Sequence, residues 1–277
     1  MLRNLATSRW LGYLALLLVY VTICGFLCWW QWNRRDEAQT AIARLDANWS
    51  APSSPVDEAL PQPYGFDPDQ QWQRVELEGE YLVDDALLMR GRLRDGNVGF
   101  QQVVPFLTDN GTVFYIDRGW VPVGAEGAEL PESVPDIPTG QISLLARLRP
   151  NEGDIGKGAP EGQIASVDLE RLANRHSQTV YTGAYGLLES EDGVVPGDVA
   201  PHDRPLLDEG PHLSYSLQWI MFALVGIVGF GYALRTDTRN MQGLPQAPKR
   251  RSVDDDEEDA LLDEVETEFA EQAEASR

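Results

Sequence analysis

The sequence predicts a membrane protein in which two transmembrane α-helices flank a β-rich extracytoplasmic domain, a small barrel or coiled sheet carrying one short helix. Three observations carry this expectation. Trp10 to Trp30 and Tyr215 to Leu234 are apolar and free of charge over the roughly 20 residues that a helix needs to cross a bilayer. Between them, short runs alternate apolar with polar residues and are punctuated by Asp, Asn and Gly, the pattern of half-buried strands joined by hairpins. Finally, Arg235, Arg239, Lys249, Arg250 and Arg251 crowd behind the second apolar stretch, whereas Arg204 alone stands close before it. Basic residues favour the cytoplasmic side, so the C-terminus is expected there. Two spans bring the N-terminus to the same side and place residues 33 to 214 outside.

In chain order, residues 1 to 9 form a cytoplasmic N-terminus and 10 to 32 the first transmembrane helix, closed by an aromatic belt of Trp29, Trp30 and Trp32. The stretch is too long for the apolar core of a signal peptide and no small-x-small cleavage site comes after it, so it reads as a retained anchor. Cys24 and Cys28 both lie inside it, on one helical face. Soft thiolates suit Cu(I), yet thiolates in hydrocarbon are costly and no third ligand is near, which favours small apolar side chains packing in lipid. The outer domain therefore has no cysteine and must be held by packing.

Residues 33 to 71 read as a linker, with five prolines between Ser50 and Gln70. The β-rich domain, 72 to 190, opens with Arg74 to Val83, where Val75, Leu77, Gly79, Tyr81 and Val83 alternate with polar positions. Ala86 to Leu93, Val98 to Leu107, Thr112 to Asp117 and Gln141 to Leu148 continue the style between turns at Asp84-Asp85, Asp95-Gly96-Asn97 and Asp109-Asn110-Gly111. One helix is expected from Val167 to about His176, with Ser166 as N-cap, and a last strand from Thr179 to Leu188. A return connection spans 191 to 214. The second transmembrane helix covers 215 to 234, and 235 to 277 form a cytoplasmic acidic tail expected to be disordered. Within that tail Val265, Phe269 and Ala273 keep nearly helical spacing, as in segments that fold on a partner.

Residues 33 to 214 hold 14 basic and 31 acidic residues, a formal charge of −17 out of −22 for the chain. That balance excludes nucleic acid as a partner and disfavours an anionic lipid surface. A soluble domain held beside other membrane proteins fits it. Enzymatic signatures are absent: there is no G-x-S-x-G elbow and no H-E-x-x-H, and the cysteines are misplaced for a thiol nucleophile. GDIGKG at Gly153 to Gly158 hints at a phosphate loop, but Gly comes after Lys157 where Ser or Thr belongs and Asn151 stands where the first glycine belongs. It reads as a surface turn. No catalytic residue is assigned, and His176, His202 and His212 are too scattered for a metal pair.

Four stretches carry a family resemblance: WQWNRR at Trp30 to Arg35, WQRVELEGEYLVDDALLMRGR at Trp72 to Arg92, VGFQQVVPFLTDNGTVFYIDRGWVP at Val98 to Pro122, and HLSYSLQW at His212 to Trp219. In order and spacing they make the chain resemble the Surfeit locus family, membrane-anchored assembly factors of haem–copper cytochrome c oxidase. The resemblance covers about Trp10 to Arg235. Two positions depart from the family pattern: Asp117 stands in place of an asparagine before R-G-W-V-P, and Pro211 in place of an asparagine before the histidine. Asp117 adds a charge beside Arg118, and an ion pair between the two is the expectation.

The resemblance implies a chaperone-like role in the respiratory chain of a bacterial cell membrane, with the oxidase core subunit and other assembly factors as partners. It also implies help in building the haem a site. Some bacterial members are taken to bind haem a through a histidine at the start of the second span, which here is His212. Helical spacing puts His212, Tyr215 and Trp219 on one stripe, where an imidazole could ligate haem iron while propionates meet Arg204, Arg34 or Arg35. Interfacial His, Tyr and Trp also anchor spans without any ligand, so a scaffold that binds no haem is the alternative. Arg118, Gly119 and Trp120 read either as a structural turn around a buried indole or as a partner-binding face.

Overall fold

The structure, a computed structural model, describes residues 7–124 and 130–241. The chain divides into two units, one of Met1–Gln31 with Ser214–Arg277 and one of Trp32–Leu213. The acidic tail beyond Met241 lies outside the described residues.

The first unit pairs two long helices. Helix α1 runs Ser8–Trp49 and the last helix, α4, runs His212–Met241; both are long and apolar enough to cross a bilayer. Small and polar residues let them meet. The Cβ that Gly226 lacks would stand 2.7 Å from the Tyr20 ring, Cys24 is buried, and Cys28 Sγ lies 3.4 Å from Ser216 Oγ. At one end Asp237 accepts hydrogen bonds from Trp10 Nε1 at 2.9 Å and Arg9 Nη2 at 2.8 Å. Small residues let helix backbones approach closely. Leu16, Leu18, Val225 and Val228 remain more than half exposed.

Helix α1 does not stop at the expected boundary. It continues through Trp49, so residues 33 to 49, expected as the head of a linker, are helical. Arg34, Glu37, Ala38, Ala41 and Arg44 are good helix formers, and the first proline comes at Pro52. The proline-rich remainder gives β1 (Ser54–Pro55), a two-residue edge strand parallel to β2, and a single helical turn, α2 (Val56–Ala59).

The sheet of the second unit comprises β2 (Arg74–Tyr81), β3 (Leu87–Arg94), β4 (Asn97–Thr108), β5 (Val113–Pro122), β6 (Gln141–Pro150), β7 (Gln163–Ile164) and β8 (Ala184–Glu191) together with β1. Strand order is β1-β2-β6-β8-β5-β4-β3-β7, and β2 also pairs with β4, so β2, β6, β8, β5 and β4 close a ring. One core cluster draws on all five ring strands: Leu77, Phe106, Phe114, Leu144 and Leu188 are among its members. A second lies on the opposite face of β5 and takes in Val113, Tyr115, Met89, Leu169 and Leu172. The period of two in strands assigns Phe114 and Ile116 to the first and Val113 and Tyr115 to the second.

Two expected elements shift. The short helix, α3, spans Leu169–Ala173 rather than Val167 to His176, and its cap is Asp168, whose side chain accepts from Arg171 N, not Ser166. Ser166 instead donates to Gly153 O at 2.7 Å, and beyond Ala173 the chain tightens into turns closed by Arg175 N to Leu172 O and His176 N to Ala173 O. The last strand begins at Ala184, not Thr179, because the N–H groups of Thr182 and Gly183 donate to Pro63 O instead of to a neighbouring strand.

Candidate functional site

Strand β5 carries Asp117, Arg118, Gly119 and Trp120, each doing something different. Arg118 is buried to 2% exposure in a nest of acceptors. Its Nε and Nη2 fork onto Glu191 at 2.8 and 3.2 Å, and Nη1 donates to Gln102 Oε1 at 2.6 Å and Asp136 O at 3.0 Å. Tyr81 donates to the same carboxylate at 2.9 Å and sets its ring 5.8 Å from the guanidinium carbon. Burial opposes the Arg118 charge, but Glu191 more than offsets it and the pKa is raised; burial with Glu191 nearby also pushes the Tyr81 phenol far above its usual range. Every nitrogen of the guanidinium is engaged, which is the structural duty expected of a buried arginine.

Asp117 points the other way, as the next residue in a strand must. The ion pair with Arg118 anticipated from their adjacency is therefore not formed. The fully buried carboxylate instead meets His202 Nε2 at 3.1 Å and the Gly119 N–H at 3.2 Å through Oδ1. Gly119, at φ +145°, lets the return connection close in: an added Cβ would lie 2.6 Å from Ala200 O. Trp120 exchanges backbone hydrogen bonds with Ala200, both at 2.9 Å, and its indole donates to Arg92 O at 3.0 Å. The indole lies against Gly99, where a Cβ would come within 2.4 Å of the ring. Trp120, half-buried, is the member of this triplet with surface to offer a partner.

His212 is the first residue of α4 and is half-buried, Tyr215 is exposed, and Trp219 packs edge-on against Phe222 at 5.6 Å. The three keep i, i+3 and i+7 spacing on one helix. The arginines expected to meet propionates hold carboxylates already: Arg34 pairs with Glu37 at 2.8 Å, Arg35 with Glu209 at 3.4 Å, and Arg204 with Asp46. Among the described residues no group of three His, Cys, Asp or Glu could hold a metal ion.

One cluster has almost no signature in the sequence. Arg147 on β6 lies 3.7 Å over the Trp49 ring, donates to Trp49 O at 2.9 Å and pairs with Glu189 at 3.0 Å; Arg149 lies 4.5 Å over Trp72. Burial lowers the Arg147 pKa, with Glu189 opposing. The cluster ties the end of α1 to β6 and borders a cavity of about 330 Å³ that reaches His202. The alternation of Arg147 and Arg149 with Leu148 is its one sequence signal. The expectation that Trp49 belongs to a linker hides the rest.

Known proteins resemble this chain along most of its length. The SURF1 family model matches residues 18–224. An uncharacterized SURF1-like protein of Mycobacterium bovis is 30% identical over 265 residues, which is 88% of this chain and 92% of the relative, and one of Mycobacterium tuberculosis matches to the same extent. A SURF1-like protein of Rickettsia felis is 27% identical over 108 residues, 37% of this chain and 43% of the relative.

Proposed function

The chain belongs to the SURF1 family, whose members are generally known as oxidase assembly factors, and from that premise we propose that it is a membrane-anchored assembly factor for haem–copper cytochrome c oxidase that assists delivery of haem a to the core subunit. The two long apolar helices would anchor it in a bacterial plasma membrane with both termini in the cytoplasm. The closed ring of strands, taken as a small barrel, would stand outside. Its partners are the oxidase core subunit and other assembly factors, and haem a is cargo rather than a resident cofactor.

The observation that supports a haem role is the start of α4. His212 opens the helix, and the surface just beyond it leaves Leu213, Leu217 and Ile220 more than 40% exposed. An imidazole at a helix start beside open apolar surface suits an amphiphilic, iron-bearing cargo. His212 would supply a nitrogen ligand to the iron, with Tyr215 and Trp219 walling the site. Arg34, Arg35 and Arg204 could each take a propionate only by exchange for the carboxylate they hold. Easy exchange suits a carrier, which must also let go.

The other reading is a scaffold that binds no haem and holds oxidase subunits together during assembly. The engaged arginines favour it. Haem spectra of protein produced in cells that make haem a separate the two. The wild type should show a haem absorbance band that His212→Ala loses, while Tyr215→Phe and Trp219→Leu reduce it less. A wild type with no band, or an alanine variant that keeps all of it, replaces delivery with scaffolding.

A further inference from the structure

Strand β3 is irregular at Gly91, where φ is +71° and the pairing with β4 slips between Arg90 and Arg92. Those two arginines line a cleft of about 520 Å³ together with Lys157 and Gly158, which belong to the loop before β7. Among the described residues no acid lines it. Arg92 is neutralised by Glu152, to which its Nη2 donates, but its Nε–H is buried without a hydrogen-bond partner. Arg90 and Lys157 are exposed, and their side chains meet no partner among the described residues.

Two uncompensated cations are unexpected in a domain of formal charge −17. Elsewhere in it Arg74, Arg94, Arg118 and Arg147 all stand within ion-pair reach of a carboxylate. A cleft of mixed charge adjoins the Arg90 cleft. This neighbour, of about 230 Å³, shares Lys157 and adds Arg171; its other arginine, Arg175, stands 3.8 Å from Asp85, and its two acids accept backbone hydrogen bonds, Asp154 from Gly156 N at 2.7 Å and Asp168 from Arg171 N at 3.3 Å.

We propose that the cleft between Arg90 and Lys157 binds a phosphate-type dianion, with the Arg92 Nε–H as a third donor. A carboxylate carries one charge on a planar group that a single arginine fork satisfies. Two free cations and a separate third donor match a group bearing about −1.5 to −2 charges on three acceptor oxygens. Sequence spacing alone makes GDIGKG a surface turn. The fold changes its meaning by setting Arg90 and Arg92, from a distant strand, beside Lys157. Nothing in this site depends on the oxidase role.

The test uses the full-length protein in neutral detergent micelles, titrated calorimetrically with inorganic phosphate, pyrophosphate and acetate. A second arm measures binding to phosphatidylcholine vesicles with and without phosphatidic acid. Phosphate or pyrophosphate should saturate the wild type and bind Arg90→Gln and Lys157→Gln roughly tenfold more weakly for each cation removed. Lys157→Arg should restore binding, which separates charge from folding. Saturation by the soluble anions assigns a soluble ligand; binding to phosphatidic acid alone, lost in the same variants, assigns a lipid headgroup. Absence of variant-sensitive binding in both arms overturns the site, and so does acetate binding as tightly as phosphate.

Discussion

His202 holds the return connection against β5 by setting its Nε2 3.1 Å from Asp117 Oδ1, at a carboxylate with no exposed surface. The other oxygen, Oδ2, is buried without a hydrogen-bond partner, so the charge on Asp117 is answered chiefly by the imidazole. Arg94 fastens the same segment from β3, donating to Asp203 Oδ2 at 2.8 Å and to Pro201 O. Residues 199 to 203 thus form a strap across Arg118 to Trp120, which lie within strand β5 and not in the turn that the sequence suggests.

Stability should depend on pH through this pair. Burial on its own would lower the His202 pKa; Asp117 outweighs it, Arg94 opposes from the other side, and the net shift is upward. A raised folded-state value means the stabilisation is complete below the unfolded pKa of ~6.5 and is lost as pH rises through the folded value. His176, whose Nε2 lies 2.8 Å from the Tyr115 hydroxyl, supplies the opposite arm. Burial lowers its pKa against the pull of Asp85, so its contribution is lost as pH falls through that lowered value. The urea midpoint tracked by near-ultraviolet circular dichroism should therefore decline on the alkaline side, and His202→Asn should flatten that decline alone.

Removing the Arg118 guanidinium strands a carboxylate. Arg118→Ala leaves Glu191, Gln102 and the Asp136 carbonyl without their donor, and breaking a buried pair in this way costs about 3–5 kcal/mol. For a domain of this size that corresponds to a fall of roughly 10 °C in thermal midpoint. Arg118→Lys should recover little of it, since an ammonium cannot fork onto Glu191. A midpoint unchanged in either variant would contradict the geometry.

Gly119→Ala should loosen the strap without touching an ion pair. The new methyl meets a backbone oxygen, Ala200 O, at 2.6 Å in a φ region that side chains avoid, so about 2 kcal/mol or more of destabilisation is expected. Proteolysis should then open between Val194 and Arg204 before the ring is cut. Cleavage confined to other loops would show that the strap does not rely on this contact.

Topology has its own measurement. Alkaline phosphatase fused after Gly140 should be active and the same enzyme fused after Gln246 inactive if the proposed orientation holds, since basic residues favour the cytoplasmic side and five of them crowd behind the second apolar stretch. The reverse pattern would invert the orientation.

The strands are legible because their residues carry the pattern in pure form. Val75, Leu77 and Tyr81 alternate with glutamates, and β2 ends at Tyr81, within two residues of the expected position. The limits of β8 are illegible, since Thr179 to Thr182 are as strand-like as Ala184 to Leu188; Val180 still bridges Val113 of β5, and only at Thr182 and Gly183 does the contact with Pro63 interrupt the pairing. The far half of α1 is hidden for a related reason: Trp49 and the prolines after it blur where a span ends and a linker starts. At the site, R-G-W is visible as a motif, whereas Glu191 and His202 are 73 and 85 residues from their partners and no spacing could announce them. Adjacency makes Arg118 the natural mate of Asp117, and the alternation of a strand forbids it.

The order in which the strands leave the ribosome bears on assembly of the ring itself. β8, last to be made, sits between β5 and β6, pairing parallel with one and antiparallel with the other. Until Glu191 has emerged, the earlier strands are an open sheet with two bare edges, each able to capture a stray strand. Glu191 is also the carboxylate that receives Arg118, so the residue that finishes the seam satisfies the buried cation waiting beside it. A chain truncated before that residue is therefore expected to be sticky rather than merely shorter, and the seam to be complete before the return connection and the second long helix are made.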